Sequence, residues 1–445
     1  MYVKNLYQKI SNSIKKNFLQ IKIGGTKIFI IKLYKLIFVP LIFLQYLIAI
    51  FLLIIVKIIS PLVLIRWTEL PSSRIGHFAK DTAMVILETL EGLNNPKKKF
   101  IDIFFFHRYI SNQQLAKMWN RKLFIMPRWL IKPLYDVNNL LSPISPHNII
   151  NDGRKNNLSR DINNLFFKHK PVLEFTEEEK NKGKEFLKNI GLNDQLKFVC
   201  LAVRDSEFLQ SFNPMASYEY HDYRDGEIEK FLPAAEELTK RGYYVFRMGS
   251  KVKKKIISDN PMIIDYANSS MRSDFLDIYL LANCKFCIST DYGLDEICVI
   301  FKKPVAYVGV APIGTLTSSD PNSLIIFKQH YDSLSKKEIS FTEIFRRGLA
   351  SALSKNNYSE KNVTLIHNTE NQIKNLVVEM DLRLNNKMSE TNEDKKLQNY
   401  FWMKFKEYCE IKEFKEFTTK FGIMQGEYKS KIGNSFLKEK KELLD

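Results

Sequence analysis

Four short stretches place charged, hydroxyl or glycine residues directly after apolar runs. The first is Cys200-Leu201-Ala202-Val203-Arg204-Asp205. An arginine at the end of a strand suits a diphosphate, because its planar fork bonds two oxygens at once. A structural Arg204–Asp205 ion pair is the alternative. The second is His221-Asp222-Tyr223-Arg224-Asp225, where Asp225 can cap a helix and Tyr223 or Arg224 can reach a ligand. The third is Phe246-Arg247-Met248-Gly249-Ser250: Arg247 supplies charge and Gly249 lets the backbone come close. Ordinary loop polarity is the alternative for both. The fourth is Ser289-Thr290-Asp291-Tyr292-Gly293-Leu294-Asp295-Glu296. Small and hydroxyl residues before a helix start suit a phosphate or a sugar. Asp295 and Glu296 also fit the positive end of a helix dipole. One such loop is a weak signal; four near successive strand ends are a stronger one. Upstream, Arg74-Ile75-Gly76-His77 forms a turn before a helix. There His77 is the candidate general base, since an imidazole titrates near operating pH; a hydrogen-bonded loop histidine is the alternative.

Other chemistries lack their signatures. No Gly-x-x-x-x-Gly-Lys phosphate loop, no Gly-x-Ser-x-Gly elbow and no Gly-x-Gly-x-x-Gly follows a strand. There is no Asp-x-Asp and no histidine cluster with metal-ligand spacing, so neither a metal nor a cofactor is expected. These absences argue against an ATPase, a serine hydrolase, a Rossmann dehydrogenase and a metal-dependent transferase. Cys284 and Cys287 form a C-x-x-C, but they lie in an apolar run that reads as a buried strand. The five cysteines fit small core residues in a reducing compartment.

The elements that must carry these residues alternate between strand and helix. Phe100 to Phe106 reads as a strand, Leu115 to Trp119 as part of a helix and Lys122 to Met126 as another short strand. Then come a helix over Glu177 to Ile190, a strand over Phe198 to Val203, and a helix over Asp225 to Arg241. Strand Tyr243 to Met248, helix Asp274 to Ala282 with Ser273 as cap, and strand Phe286 to Ser289 follow. Helix Leu294 to Phe301 and strand Pro304 to Gly309 complete the set. This alternation predicts an α/β fold with parallel sheets, whose ligands bind beyond the carboxyl ends of the strands. Beyond Leu384 a helical tail carries Phe401, Phe405 and Tyr408 at helical spacing.

The chain has 445 residues and a formal charge of +18. A nucleic-acid partner is discounted, because the charge is concentrated at one end and Lys, Asn and Ile abound as in an AT-rich genome. No acidic residue precedes Glu69. That basic block suits anionic membrane lipid. Leu36 to Val56 is apolar apart from Gln45 and is long enough to reach across a hydrocarbon core. A basic N-terminus held inside would place the rest of the chain outside, away from cytosolic nucleotide sugars. The expectation is therefore a hairpin broken near Lys57 and Pro61, or an interfacial segment, with Arg66 and Trp67 at headgroup level.

The Val203-Arg204-Asp205 strand end, His221 to Ile228, Arg241 to Gly249 and Cys287 to Asp295 together resemble a bacterial family assigned as glycosyltransferases and found with surface-polysaccharide genes. Arg74 to His77 and Ile432-Gly433-Asn434-Ser435-Phe436-Leu437 also look like that family, over roughly Arg66 to the end. The resemblance implies a GT-B fold, a pair of Rossmann-type lobes with parallel sheets, preceded here by the N-terminal hydrophobic membrane segment. The basic block and apolar run mark a membrane segment over 1–66; the resemblance implies an acceptor lobe over 67–170, a donor lobe over 171–384, and a tail over 385–445 that packs back on the first lobe. By position, Arg204, Asp205, Tyr223, Arg224, Arg247, Gly249, Ser289, Thr290, Asp291, Gly293 and Asp295 would be donor-side. Arg74, Gly76 and His77 would face the cleft from the acceptor side. The acidic, aromatic Asp291-Tyr292 departs from the small or polar residues expected there. The implied activity is transfer from a nucleotide-sugar to a glycan or lipid-linked saccharide acceptor, without metal, on the cytoplasmic side of the inner membrane. The rivals are a nucleotide-sugar 2-epimerase of the same fold and a non-catalytic membrane-bound scaffold.

Overall fold

The computed structural model describes residues 25–445 apart from 27, 31, 32, 35, 36, 94, 143, 144, 150–159, 193–196, 208–218, 317–319 and 423–425. The lysines of the first 24 residues and most of the expected connection between lobes lie outside the described residues. The chain divides into two compact units. The smaller draws on the segments up to Thr68, Pro96–Phe105 and Met126–Ile149; the larger on Glu69–Asn95, Phe106–Ile125 and Ile150–Asp445.

In the smaller unit, helix α1 (Val39–Ile59) starts at Pro40, whose missing N–H costs nothing in a first turn. It has a mean hydropathy of 2.8. A turn at Ser60–Leu62 leads straight into strand β1 (Leu64–Leu70). The expected hairpin has no second apolar limb here, because Ile58 to Ile65 is divided between the end of α1 and the start of β1. Arg66 and Trp67 are not headgroup anchors either. Arg66 is buried, donates to both carboxylate oxygens of Asp102 at 2.6 and 2.7 Å, and stacks over Phe100. Trp67 is buried and stacked on His147.

Helix α2 (Ile75–Leu90) follows, then strand β2 (Phe100–Phe106), helix α3 (Gln113–Asn120) and helix α4 (Arg128–Leu141). Strands β1 and β2 form a two-stranded sheet. Lys122 to Met126 forms no strand; its main tie is a backbone hydrogen bond from Met126 to Phe104. The first of the two expected Rossmann-type lobes therefore shows no extended parallel sheet among the described residues. Helix α4 went unread in the sequence because Pro133 sits inside it.

The larger unit carries the α/β core. Helix α5 (Glu177–Asn189) opens with a capping box between Thr176 and Glu179. Strand β3 (Lys197–Ala202), helix α6 (Leu232–Lys240), strands β4 (Tyr243–Arg247) and β5 (Ile263–Ile264), and helix α7 (Asp274–Asn283) come next. Then follow β6 (Cys287–Ser289), α8 (Asp295–Ile300), β7 (Val305–Val310) and β8 (Leu324–Phe327). The helix expected from Asp225 begins only at Leu232, because Pro233 favours a first turn and residues 228–231 form a short 3-10 turn instead. Cys284 closes α7 and Cys287 opens β6, both buried.

These strands pair in parallel in the order β5-β4-β3-β6-β7-β8, with a late strand, β12 (Lys431–Ile432), at the β8 edge. Numbered from β3, the order is 3-2-1-4-5-6, the doubly wound dinucleotide-type sheet. After the exposed Lys197, β3 is apolar and buried because helices cover both faces of such a sheet. An antiparallel sheet of β9 (Gln329–Asp332), β10 (Lys337–Glu338) and β11 (Val363–Ile366) stands beside it.

Helix α9 (Phe341–Arg346), helix α10 (Glu370–Leu384) and the tail helices α11 (Asn392–Cys409), α12 (Lys412–Phe421) and α13 (Asn434–Lys440) complete the unit. Phe401, Phe405 and Tyr408 are buried, as their spacing predicts. The main contacts of α13 are with α10 and α11, and Lys440 pairs with Glu338 at 2.7 Å. The last helix thus packs within the larger unit beside β8, while the tail segment before it reaches residues 161–167 of the expected acceptor lobe: the Gly426 N–H donates to the Asp161 carbonyl at 3.2 Å and the Glu427 N–H to the Asn164 side chain at 2.9 Å. Lys431 and Ile432 carry the strand that extends the sheet edge, and the Asn434 N–H donates to Glu379 at 2.8 Å.

Helix α2 docks on α8 through two glycines. A Cβ on Gly76 would lie 2.6 Å from the Gly293 Cα and 3.1 Å from its carbonyl oxygen. Both are backbone atoms, so a methyl group forces the two segments apart. Gly76→Ala is expected to lower stability by about 1–3 kcal/mol, read as a lower urea midpoint. An unchanged midpoint would contradict this packing role.

Candidate functional site

In a doubly wound sheet the crevice opens where the winding reverses, between the first and fourth strands. Here that point lies between β3 and β6. Ala202 is in register with Ser289 and Leu201 with Arg247, so β3, β4 and β6 end within about one residue of each other, while β7 runs on past Tyr307, the partner of Ser289. Three of the four stretches singled out in the sequence emerge from these ends. The Arg204 N–H donates to the Thr290 hydroxyl at 2.8 Å, tying the loops after β3 and β6 together.

Arg204 is buried and its Nη1 donates to the His221 carbonyl oxygen at 3.1 Å and to the Asp225 carboxylate. Thus Arg204 pairs with Asp225, not with its sequence neighbour Asp205. Burial pushes the Asp225 carboxyl up to about 6, against the pull of Arg204. Lys328, at the end of β8, donates to the carbonyls of Tyr223 and Asp225 at 2.8 and 2.7 Å. Burial lowers its ammonium to about 8, with Asp225 opposing. Arg224 donates to the Asp291 carbonyl and lies 3.6 Å from its carboxylate. Asp291 holds a left-handed φ of 57°, which aspartate tolerates better than most residues.

His221 was quoted in the sequence without a role. Burial, then Arg204, Arg224 and Arg74, push its imidazole down to about 4. Its Nδ1 is buried with no hydrogen-bond partner. Three guanidiniums therefore act on one neutral imidazole at the mouth of the crevice. The sequence signal for this was the alternation of basic and acidic residues from His221 to Asp225; the contribution of distant Arg74 and Lys328 needed the fold.

The remaining expected residues divide. Arg74 is exposed and caps the start of α2 without a side-chain cap. His77 Nδ1 lies 3.1 Å from the Asp81 carboxylate, one turn along, with about a third of its side chain exposed. A carboxylate on one ring nitrogen orients an imidazole. The Gly76–Gly293 contact brings Arg74 and His77 beside the 291–295 loop. Tyr223 is buried, and its ring lies 5.5 Å from that of Tyr358.

Ser289, Thr290 and Asp295 are enclosed. Asp295 accepts from the Ser289 hydroxyl at 2.6 Å and from the Tyr292 N–H at 3.0 Å, so it braces the loop from within. Arg247 is 1% exposed. It stands 3.8 Å from both Asp205 and Asp265, with its Nε and Nη1 unpartnered. Asp205 accepts from the N–H groups of Glu207 and Lys253, and Gly249 turns the chain at φ 150° next to Val252. These three brace the loops behind β3 and β4.

The larger unit is thus a doubly wound α/β fold with a basic switch point. No protein-family model matches the sequence, and no curated protein matches it. Among solved structures, the glycosyl transferase family 9 protein from Veillonella parvula DSM 2008 is similar at 12% identity and a TM-score of 0.32, over 55% of this chain and 80% of that one. The E. coli ADP-heptose lps heptosyltransferase II is similar at 13% identity and 0.32, over 56% and 86%.

An anion beside His221 offsets the arginines and raises the imidazole above about 4. Binding then takes up a proton. Affinity for inorganic diphosphate is expected to rise as the pH falls from 7 towards 5, with the His221 imidazole resonance titrating at higher pH in the complex. Calorimetry with no proton uptake and an unmoved resonance would place the anion elsewhere.

Proposed function

We propose that this protein is a glycosyltransferase that moves a sugar from a nucleotide-diphosphate donor to a saccharide or lipid-linked acceptor at the cytoplasmic face of a membrane. One observation carries the reading: Arg204, bonded to the His221 carbonyl, and Arg224, bonded to the Asp291 carbonyl, stand with the part-buried His221 at the switch point of a doubly wound sheet, and the charge of Arg74 also acts on that imidazole. A doubly wound sheet receives nucleotides at that place. Guanidiniums suit a diphosphate, whose charge grows as it departs, and fixed cations there replace the metal that other transferases use. In this reading the acceptor oxygen bonds to the anomeric carbon while the bond from that carbon to the diphosphate breaks. The electron pair leaves with the diphosphate towards the arginines. The acceptor proton passes to His77, held by Asp81.

The residues that brace the loops, Ser289, Thr290, Asp295, Asp205, Arg247 and Gly249, serve this reading by holding the donor loops in place. Arg74, Arg204, Arg224 and His221 touch the donor, with Lys328 fixing the carbonyls of the 223–225 turn. Apart from Arg74, which in this reading reaches the donor, residues 67–170 supply the acceptor side and 171–384 the donor side.

The test is a thermal-shift screen of the whole protein against UDP, GDP, CMP and their sugars, with and without EDTA. A ligand at 100 times its dissociation constant adds about 2.7 kcal/mol of stability. One diphosphate should shift the melting temperature regardless of EDTA. Arg74→Ala, an exposed change, should leave the unliganded melting temperature alone and weaken that nucleotide about tenfold, as loss of one charge-assisted contact does. No shift with any nucleotide would favour the scaffold, and 2-epimerisation of an unaccompanied nucleotide sugar would favour the epimerase.

A further inference from the structure

α1 is long and apolar enough to cross a bilayer, yet its own packing argues against a crossing. Its midpoint is Ala49, and Ala49 and Leu53 are its only buried residues. They sit in a cluster with Ile131, Leu134 and Val137 of α4 and with Trp67 and Phe105 of the strands. The Tyr46 hydroxyl, one turn from the midpoint, donates to Asp136 at 2.8 Å, and Asp136 is paired with Lys132. Asn138, further along α4, donates to the Asn148 side chain at 3.0 Å and accepts from Ser145 at 2.9 Å. In an upright span the middle of α1 lies at the bilayer centre. An ion pair, an asparagine network and strand residues would then lie at that depth. Hydrocarbon excludes open strands and irregular backbone, and charges there are costly.

The face of α1 turned away from α4 is a different matter. Phe43, Phe51 and Ile58 are 63%, 65% and 70% exposed. Helix α4, which packs against α1, carries further exposed apolar residues: Trp129, 66% exposed, near its start and Leu140 and Leu141 at its end. Between residues 39 and 149, beyond the Arg66–Asp102 and Lys132–Asp136 pairs, the segments of this unit hold five further basic residues (Lys57, Lys97, Lys98, Lys99, Arg128) and no further acidic one. Apolar residues with an exposed tryptophan on the adjoining helix and basic residues around them match one anionic leaflet: acyl chains below, phosphate at the rim.

We infer that α1 does not cross the membrane but lies along one leaflet, clamped along its inner side by α4, with its Phe43–Phe51–Ile58 stripe in the acyl region and Trp129 at the headgroups. This seating does not depend on the reaction catalysed, and a nucleotide-blind protein could still have it.

The test uses the full chain in vesicles of phosphatidylethanolamine and phosphatidylglycerol. Nitroxides are placed by Phe43→Cys, Phe51→Cys and Ile58→Cys in a Cys409→Ser background. All three are exposed positions, so the fold is retained. Depth is read by paired oxygen and nickel-chelate relaxation. A leaflet-bound helix gives three nearly equal, shallow depths, and the protein leaves vesicles made without phosphatidylglycerol at raised salt. A profile with Phe51 deep and Ile58 near the surface would overturn the inference in favour of a span. Water-exposed labels, or spin–spin coupling between two copies, would overturn it in favour of a free or dimerised face.

Discussion

The winding of the chain reverses between β3 and β6, and the candidate chemistry depends on that reversal. Connections from neighbouring parallel strands usually cover the gap at a strand end. At this one place they diverge to opposite faces and leave it open. The bond from the Arg204 N–H to the Thr290 hydroxyl spans the two sides. It fixes the start of both loops, so that Arg204 faces the 221–225 turn and Arg224 reaches back to Asp291. The loops are braced from inside by two acids: buried Asp295 under the 289–292 turn and half-buried Asp205 under the 251–253 turn. Enclosure raises the cost of leaving such groups unpaired, so the loops are held in one shape.

The second constraint is the docking of α2. Two glycines in backbone contact allow the helix to approach the 291–295 loop, and Lys80 reaches Glu296 at 2.9 Å from the next turn of the helix. Both charges are largely buried, so breaking the pair is costly while keeping it adds little net stability. Its effect is to set the rotation of α2. That rotation turns Arg74 and His77 outward beside the loop. Charge at the site is consequently lopsided: several cations meet few unspent acids, and His221 responds by staying neutral.

The smaller unit solves a separate problem. A helix as apolar as α1 needs cover, and α4 covers only one side of it. Arg66 and Trp67, which stand where a membrane anchor would be expected in sequence, are consumed by Asp102, Phe100 and His147. The basic and aromatic character that remains exposed comes from other positions.

Much of this was legible in the sequence. Period-two and period-3.6 patterns located β2, β3, β4, α5, α7 and the aromatic stripe of α11, because a strand or helix buried on a defined face must repeat its apolar residues at that spacing. The charged residues that follow the strands were legible for the same reason: an apolar run must end where the sheet ends. What local pattern cannot carry is partnership across distance. Arg204 chose Asp225 over its neighbour Asp205, and Asp295 turned inward. Gly76 met Gly293, and Lys328 arrived from a strand more than a hundred residues further on. Helix α4 was hidden by its own proline, and the last strand found its place only at the exposed β8 edge. Sequence determined which residues end the strands. The strand order, a property of the whole sheet, decided which of those ends lie together, because a crevice forms only where two connections part.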